Sequence, residues 1–215
     1  MPSSIEHWRH RVLAYNDQII KVREGFGSTE DFWRSVTSHF TDDPRRTDDP
    51  VLNRIIHEVS PEATILDVGG GAGRYALPLA LRCHHITVVE PSGPMIESLQ
   101  KGAEEASIHN LTTIQSTWED VRHEAADVVF CASVVDGVAK VEPFIRKLEL
   151  CAQEKVLILQ SMVSPLAMMA PFWKAVHGEN PVLTSRRAGI AKCPLGNGHL
   201  SGRANDRDSS SNGSG

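Results

Sequence analysis

The spacing of hydrophobic residues changes near Pro61, and the change separates two regions of different predicted structure. Before it, apolar side chains recur every three or four positions, which is the period of an amphipathic helix. This pattern predicts three helices, at 8–22, 28–40 and 51–59. The stretch 41–50 contains four aspartates, two arginines and two prolines, which is typical of a loop.

After Pro61, short apolar and β-branched runs alternate with helical patterns. The predicted strands are 63–68, 86–90, 111–115, 126–132 and 155–162, and the predicted helices are 72–82, 94–106, 141–152 and 164–178. Short apolar runs of this kind are typical of buried parallel strands. Strands that alternate with helices indicate a parallel sheet with helices on both faces.

Composition narrows the function classes. A chain of 215 residues with 40% hydrophobic and 23% charged residues fits one globular domain. Its formal net charge of −5 disfavours a nucleic-acid partner, because such binding depends on Lys and Arg that neutralise phosphates. The first ten residues contain Glu6, His7 and Arg9 rather than an apolar leader, and no stretch is apolar enough to span a membrane. We therefore expect a cytoplasmic protein with a small-molecule substrate.

The cysteines and the last segment add two expectations. The four cysteines include no CxxC pair, and no His, Cys, Asp or Glu cluster has metal-ligand spacing, so we expect neither disulfides nor a metal site. Gly, Ser, Arg and Asn dominate 185–215, which predicts a disordered tail because little apolar surface can be buried. The domain prediction is a helical cap over 1–60, an α/β domain over 61–184 and the tail over 185–215.

A glycine-rich segment follows the first strand of the predicted sheet. Glycines let a backbone turn sharply and approach a ligand closely, and the helix predicted next would begin with unpaired N–H groups. A dinucleotide-binding fingerprint, G-x-G-x-x-G, would need its third glycine where Arg74 stands. The segment matches instead the pattern D-x-G-x-G-x-G, formed by Asp67, Gly69, Gly71 and Gly73.

This pattern resembles the first motif of the class I S-adenosylmethionine-dependent methyltransferases, and the resemblance covers roughly 32–183. It implies a Rossmann-like, doubly wound α/β fold with a mainly parallel sheet. It also implies that S-adenosylmethionine is the cofactor, in contact with the first motif at Asp67, Gly69, Gly70, Gly71 and Gly73.

A carboxylate closes the second strand of the predicted sheet. Glu90 lies seventeen residues beyond Gly73. A carboxylate there can accept hydrogen bonds from two vicinal ribose hydroxyls. In the resembled family an acid at this place binds the ribose, so the role carries onto Glu90, with Pro91 next to it in the cofactor site. The alternative interpretation is a surface glutamate at a strand end.

Two further segments complete the resemblance. Where the family often has an aspartate and an apolar residue near adenine, this chain has Thr117 and Trp118, so Trp118 would offer adenine an aromatic face, with Glu119 beside it. The alternatives are a tryptophan of the core and a solvated glutamate. The exit of the fourth strand places Ser133, and Asp136 soon after it, near the reactive methyl group.

One departure from the family concerns the end of the sheet. The family's sheet continues with a helix and two more strands, whereas only the helix is predicted here, at 164–178. We therefore expect a sheet that lacks its last two strands and exposes an edge to a second copy or a completing partner. Three functions stay open: a small-molecule methyltransferase, a truncated or inactive S-adenosylmethionine-binding interaction protein, and an NAD-dependent oxidoreductase. The sequence identifies no catalytic base.

Overall fold

The computed structural model describes residues 3–25, 32–122, 124–161 and 166–183. Within them, five strands form one sheet: β1 (Thr64–Val68), β2 (His85–Glu90), β3 (Leu111–Gln115), β4 (Ala126–Ala132) and β5 (Ala152–Leu159). All four pairings are parallel, and the strand order is β3-β2-β1-β4-β5. The order reverses between β1 and β4, which is where open α/β sheets bind their ligands. The predicted doubly wound, parallel α/β fold is confirmed.

Helices connect and cover the strands. They are α1 (Ser4–Gly25), α2 (Phe32–Val36), α3 (Pro50–His57), α4 (Ala76–Ala80), α5 (Gly93–Glu105), α6 (Val141–Cys151) and α7 (Leu166–His177). Short 3₁₀ helices lie at Thr37–Phe40 and Val135–Gly137. The side chain of Asp49 caps α3, since it accepts the backbone N–H groups of Val51 and Leu52 at 3.0 and 2.9 Å.

Three predicted elements have different bounds in the structure. The helix predicted at 72–82 is reduced to α4, because the residues from the glycine loop (69–73) to Tyr75 are not helical. The strand predicted at 155–162 begins earlier, at Ala152, which pairs with Ala126 of β4. Of the helix predicted at 28–40, the part from residue 32 onward divides into α2 and a 3₁₀ turn. The predicted tail, 185–215, lies outside the described residues.

Both faces of the sheet are buried in separate clusters. Side chains alternate along β1, so that Ile65 belongs to one cluster and Leu66 to the other. The first cluster packs the sheet against α4 and α5, and Leu79 and Leu99 are fully buried there. The second packs the opposite face against α6 through buried Phe144 and Leu148, among others. The sheet is therefore held rigidly, with its strand ends free to carry a site.

Helix α1 is fastened to two distant parts of the chain. The indole Nε1 of Trp8 donates a hydrogen bond to the Val138 carbonyl at 2.9 Å, so α1 lies against the segment that follows β4. Farther along α1, the amide of buried Gln18 donates to Glu179 at 2.8 Å and accepts the Val182 N–H at 2.7 Å. These bonds join the beginning of the fold to the segment after α7.

Within the described residues, β3 and β5 are the two edges of the sheet. Ile158 of β5 is 43% exposed, so this edge presents an apolar side chain beside its backbone. In the same ranges, no helix combines the length and the apolar composition that crossing a bilayer requires.

Candidate functional site

The carboxyl ends of three adjacent strands bring the predicted cofactor residues together. Asp67 is the fourth residue of β1, Glu90 is the last residue of β2, and Ser133 directly follows β4. Since β2, β1 and β4 are neighbours and parallel, these three positions lie side by side where the strands end, along the carboxyl edge of the sheet. The glycine loop starts at the middle of that edge, after Val68.

The glycines of the loop are required by its conformation and its packing. Gly69, Gly71 and Gly73 have φ angles of +75°, +56° and +86°, which side chains rarely adopt. At Gly69, Gly70 and Gly73 an added Cβ would lie 2.5, 2.6 and 2.9 Å from a neighbouring side-chain atom. Substitution at these three positions therefore disturbs the protein itself, whether or not a ligand is bound.

Gly71 differs from its neighbours because the space beside it is open. A Cβ built there would come no nearer than 4.0 Å to another heavy atom, the Sδ of Met95. Its N–H donates a hydrogen bond to Glu90 Oε2 at 3.0 Å. The loop thus presents an unobstructed backbone surface at Gly71, next to the Glu90 carboxylate.

Glu90 holds the loop as well as facing the candidate site. Its side chain is largely buried at 7% exposure, and Oε1 accepts the N–H of Ser92 at 2.9 Å. Ser92 is the N-cap of α5, so Glu90 joins β2, the glycine loop and the start of this helix. An ionised carboxylate accepts hydrogen bonds and donates none, so the charge of Glu90 suits a ligand that carries hydroxyl groups.

Asp67 is a buried carboxylate with an unsatisfied oxygen. It is 1% exposed, and its Oδ1 has no hydrogen-bond partner among the residues that the structure describes. Burial, and next the negative charge of Glu90, raises the pKa of Asp67 to about 7. Two carboxylates at one edge of the sheet favour a ligand with hydrogen-bond donors or positive charge.

Trp118 lies in the hydrophobic core of the face that α6 covers. Its ring is 5% exposed and meets Phe144 edge to face, with 6.4 Å between ring centroids. The ammonium of Lys147 lies 4.4 Å from the centre of the Trp118 ring and also donates to the Glu119 carbonyl at 3.2 Å. The Glu119 side chain is exposed. The geometry gives Trp118 a packing role, and its contact with adenine stays a prediction.

Pro91 and Ser133 are exposed at the edge of the sheet. Ser133 has a φ of +57°, and its N–H donates to the Leu159 carbonyl of β5 at 2.9 Å. A left-handed conformation is uncommon for residues other than glycine and clusters at functional sites. It turns the chain after β4 so that Val134 packs against Gly69.

Two features of the site were not predicted from the sequence. Arg46, in the loop before α3, donates to the Arg74 carbonyl at 2.9 Å and forms an ion pair with Asp49 at 3.3 Å, which ties that loop to the end of the glycine loop. The second is a contact between Asp136, after β4, and Gln160, after β5. Only the mixed charge of 41–50 hinted at the first, and no local signal indicated the second.

A metal centre does not emerge from the part of the chain that the structure describes. No group of three or more His, Cys, Asp and Glu side chains in these residues has an arrangement that could hold a metal ion.

Comparisons with known proteins point to one family. Residues 66–156 match a family model described as a methyltransferase domain. The ubiquinone biosynthesis O-methyltransferase of Rickettsia akari is 35% identical over 85 residues, which cover 39% of this chain and 34% of that protein. A 23S rRNA (uracil(1939)-C(5))-methyltransferase of Klebsiella pneumoniae is 29% identical over 153 residues, covering 60% of this chain and 35% of that protein.

Among solved structures, a SAM dependent methyltransferase from Aquifex aeolicus has a TM-score of 0.49 and 18% identity, and the match covers 60% of this chain and 72% of that one. The chain spans about a third of the length of the curated relatives described above.

Proposed function

We propose that this chain is a class I S-adenosylmethionine-dependent methyltransferase, as its match to a methyltransferase domain over residues 66–156 supports, and that it binds S-adenosylmethionine at the carboxyl edge of its sheet and methylates a small molecule. The observation that carries the proposal is the open space at Gly71 beside the Glu90 carboxylate. A ligand can approach the backbone there, and the Glu90 carboxylate lies next to it.

The residues at this edge fit the chemistry of the cofactor. S-adenosylmethionine supplies a methyl group on a positively charged sulfur and carries a ribose with two vicinal hydroxyls. Glu90 would accept the hydroxyls, because an ionised carboxylate is an acceptor-only group and this one already lies against the glycine loop at Gly71. The unsatisfied Oδ1 of Asp67 suits a ligand with donors and positive charge. The protein's main contribution is then alignment, since the cofactor brings the leaving group itself.

The remaining predicted contacts are part of the same proposal. Gly69, Gly70 and Gly73 shape the loop, and Ser133 lies where the chain leaves β4 beside it. Adenine would lie near the segment after β3, with Trp118 and Glu119 as candidate contacts. For Trp118 this contact would have to use whatever edge of its ring the packing leaves accessible.

A small-molecule acceptor is favoured over nucleic acid by charge. The net charge is −5, and the buried acids at the site repel phosphates. The similarity to an O-methyltransferase of ubiquinone biosynthesis supports a small-molecule acceptor, whereas the similarity to an rRNA methyltransferase supports a nucleic-acid acceptor. A cytoplasmic location belongs to the proposal as well, and the free thiols of Cys83, Cys131 and Cys151 are consistent with a reducing compartment.

A second candidate is a protein that binds the cofactor and works through a partner. The exposed Ile158 on the β5 edge favours it, since an unpaired strand can accept a strand from another chain. An NAD-dependent oxidoreductase is disfavoured, because Arg74 stands at the third glycine of the dinucleotide fingerprint.

Calorimetric titration with S-adenosylhomocysteine and with NAD tests the proposal. We expect binding of S-adenosylhomocysteine and none of NAD, because Arg74 stands where a dinucleotide-binding loop needs its third glycine. Release of S-adenosylhomocysteine from S-adenosylmethionine in the presence of hydroxyl and amine acceptors would then separate an enzyme from a binding protein. Binding of NAD alone would overturn the assignment.

A further inference from the structure

Two polar side chains meet at the carboxyl ends of β4 and β5, outside the predicted cofactor contacts. Asp136 lies in the 3₁₀ turn after β4, and Gln160 directly follows β5. The strands bring them together, because Ala132 pairs with Leu159 and the Ser133 N–H donates to the Leu159 carbonyl at 2.9 Å. Neither residue belongs to either of the two hydrophobic clusters.

The pair has more hydrogen-bond acceptors than the protein satisfies. The Gln160 side chain donates a hydrogen bond to the Asp136 carboxylate. Its other end, Oε1, is buried and has no partner among the described residues. Buried polar atoms in folded proteins nearly always have a partner, and one without a partner needs an explanation. An incoming donor would satisfy Oε1 and the remaining lone pairs of the carboxylate together.

The pair adjoins the glycine loop on the side opposite Glu90. Val134 packs against Gly69 so closely that an added Cβ there would lie 2.5 Å from Val134 Cγ2, and Asp136 follows two residues later. Along the carboxyl ends of the strands the order is therefore Glu90 at the end of β2, Asp67 near the end of β1, Asp136 after β4 and Gln160 after β5. A ligand that starts at Glu90 and crosses the glycine loop ends at the pair.

Helix α1 shields this part of the edge. The Trp8 indole donates to the Val138 carbonyl, two residues beyond Asp136. Burial raises the pKa of the Asp136 carboxyl, and its hydrogen bond from Gln160 acts in the opposite direction. In a partly shielded site a hydrogen bond to a carboxylate is stronger than in water and contributes to selectivity.

We propose that Asp136 and Gln160 bind the hydrogen-bond donor of the methyl acceptor, so that the substrate class is small molecules with a hydroxyl or amine and without an adjacent negative charge. This inference rests on the proposed methyltransferase function. It adds what that function leaves open, namely which chemical group of the methyl acceptor Asp136 and Gln160 recognise.

Four probes that share a benzyl group test the recognition directly. Benzylamine and benzyl alcohol have a donor, trimethylbenzylammonium has the positive charge without a donor, and phenylacetate has a negative charge. Each is titrated into the full chain, with and without saturating S-adenosylhomocysteine, and binding is followed by ligand-observed NMR. We expect the two donor probes to bind at least about tenfold more tightly than the other two.

Two variants and a control show whether the pair is responsible. Asp136→Asn removes the charge, and Gln160→Met removes the amide at similar volume. Either should weaken benzylamine about tenfold or more, while the affinity for S-adenosylhomocysteine stays within about twofold. Gln153→Met changes the same residue type at the exposed beginning of β5 and should change neither. Thermal unfolding of each variant confirms that it is folded. If one of the two variants does not fold, the benzylamine affinity of the other still tests the pair.

The outcomes separate the two proposals. No binding of S-adenosylhomocysteine to the parent chain contradicts the proposed function, and the probe titrations without that ligand still measure the pair. Equal binding of all four probes, binding of none, or unchanged benzylamine affinity in both variants contradicts the inference. A variant that loses S-adenosylhomocysteine together with the probes assigns the pair to the cofactor's amino group instead, and that result also overturns it.

Discussion

The Glu90 carboxylate accepts the backbone N–H of Gly71 at 3.0 Å, which joins the end of β2 to the one position of the glycine loop where space is open. The acid and the loop are therefore one unit. A change at either residue should alter ligand binding through the other.

Glu90→Ala should weaken S-adenosylhomocysteine binding by about 100-fold, because it removes the proposed acceptor of two ribose hydroxyls and releases the loop. Calorimetric titration measures this. Glu97→Ala, an exposed glutamate on α5, is the matched control and should bind like the parent. If Glu90→Ala retains the parent affinity, the ribose does not lie on Glu90.

Gly71→Val should abolish S-adenosylhomocysteine binding, because a branched side chain would fill the space that the ligand needs. The φ of +56° adds backbone strain, which has to be separated from this effect. Gly178→Val provides that separation, since Gly178 has a φ of +74° and nothing within 4 Å of an added Cβ. Both variants should lose similar stability in thermal unfolding, and only Gly71→Val should lose the ligand. Loss of binding in both would assign the effect to folding.

Asp67→Asn should change how stability depends on pH. Burial raises the pKa of Asp67 to about 7, above its unfolded value of about 4. Its contribution to stability is therefore fully present below about pH 4 and is lost as the pH rises through 7, when a charge must exist in the buried site. Relative to the parent, the ligand-free variant should gain a few kcal/mol between pH 4 and pH 8. Denaturant unfolding at both pH values measures the difference, and a constant difference would show that the pKa of Asp67 is not raised in the folded protein.

The edge of β5 should promote self-association at high concentration, since no strand of the described residues pairs with its outer side, where Ile158 is exposed. Ile158→Lys should shift the protein toward monomer in light scattering coupled to size exclusion. Leu150→Lys removes an apolar residue that is 85% exposed on α6, away from the edge, and should have little effect. A monomeric parent at high concentration would mean that the five-stranded sheet does not associate through this edge.

The fold was predictable because its signals are local. Short apolar runs such as that at Ile65 and Leu66 lie between glycines and helical patterns, and each strand could be recognised without knowing its neighbours. The glycine loop and Glu90 could be found for a related reason, since both are attached to strand ends. The fold thus brings together residues that sequence spacing had already singled out.

The remainder of the site depends on contacts between distant segments. The meeting of Asp136 and Gln160 follows from the pairing of Ala132 with Leu159, and a one-residue shift in register would separate them. The bond from Arg46 to the Arg74 carbonyl depends on how a loop packs, which no periodicity reports. Trp118 shows the same limit, because the sequence could not say which face of the sheet its ring joins.

The bonds of Gln18 have a consequence for synthesis. Its amide meets Glu179 and Val182, more than 160 positions away, so a ribosome must complete almost all of the described chain before α1 can be fastened at that point. Contacts of such sequence separation form late in folding. The glycine loop and Glu90 are translated much earlier, before α1 is held at this point. An emerging chain should therefore be able to bind a ligand at the loop before α1 is fixed.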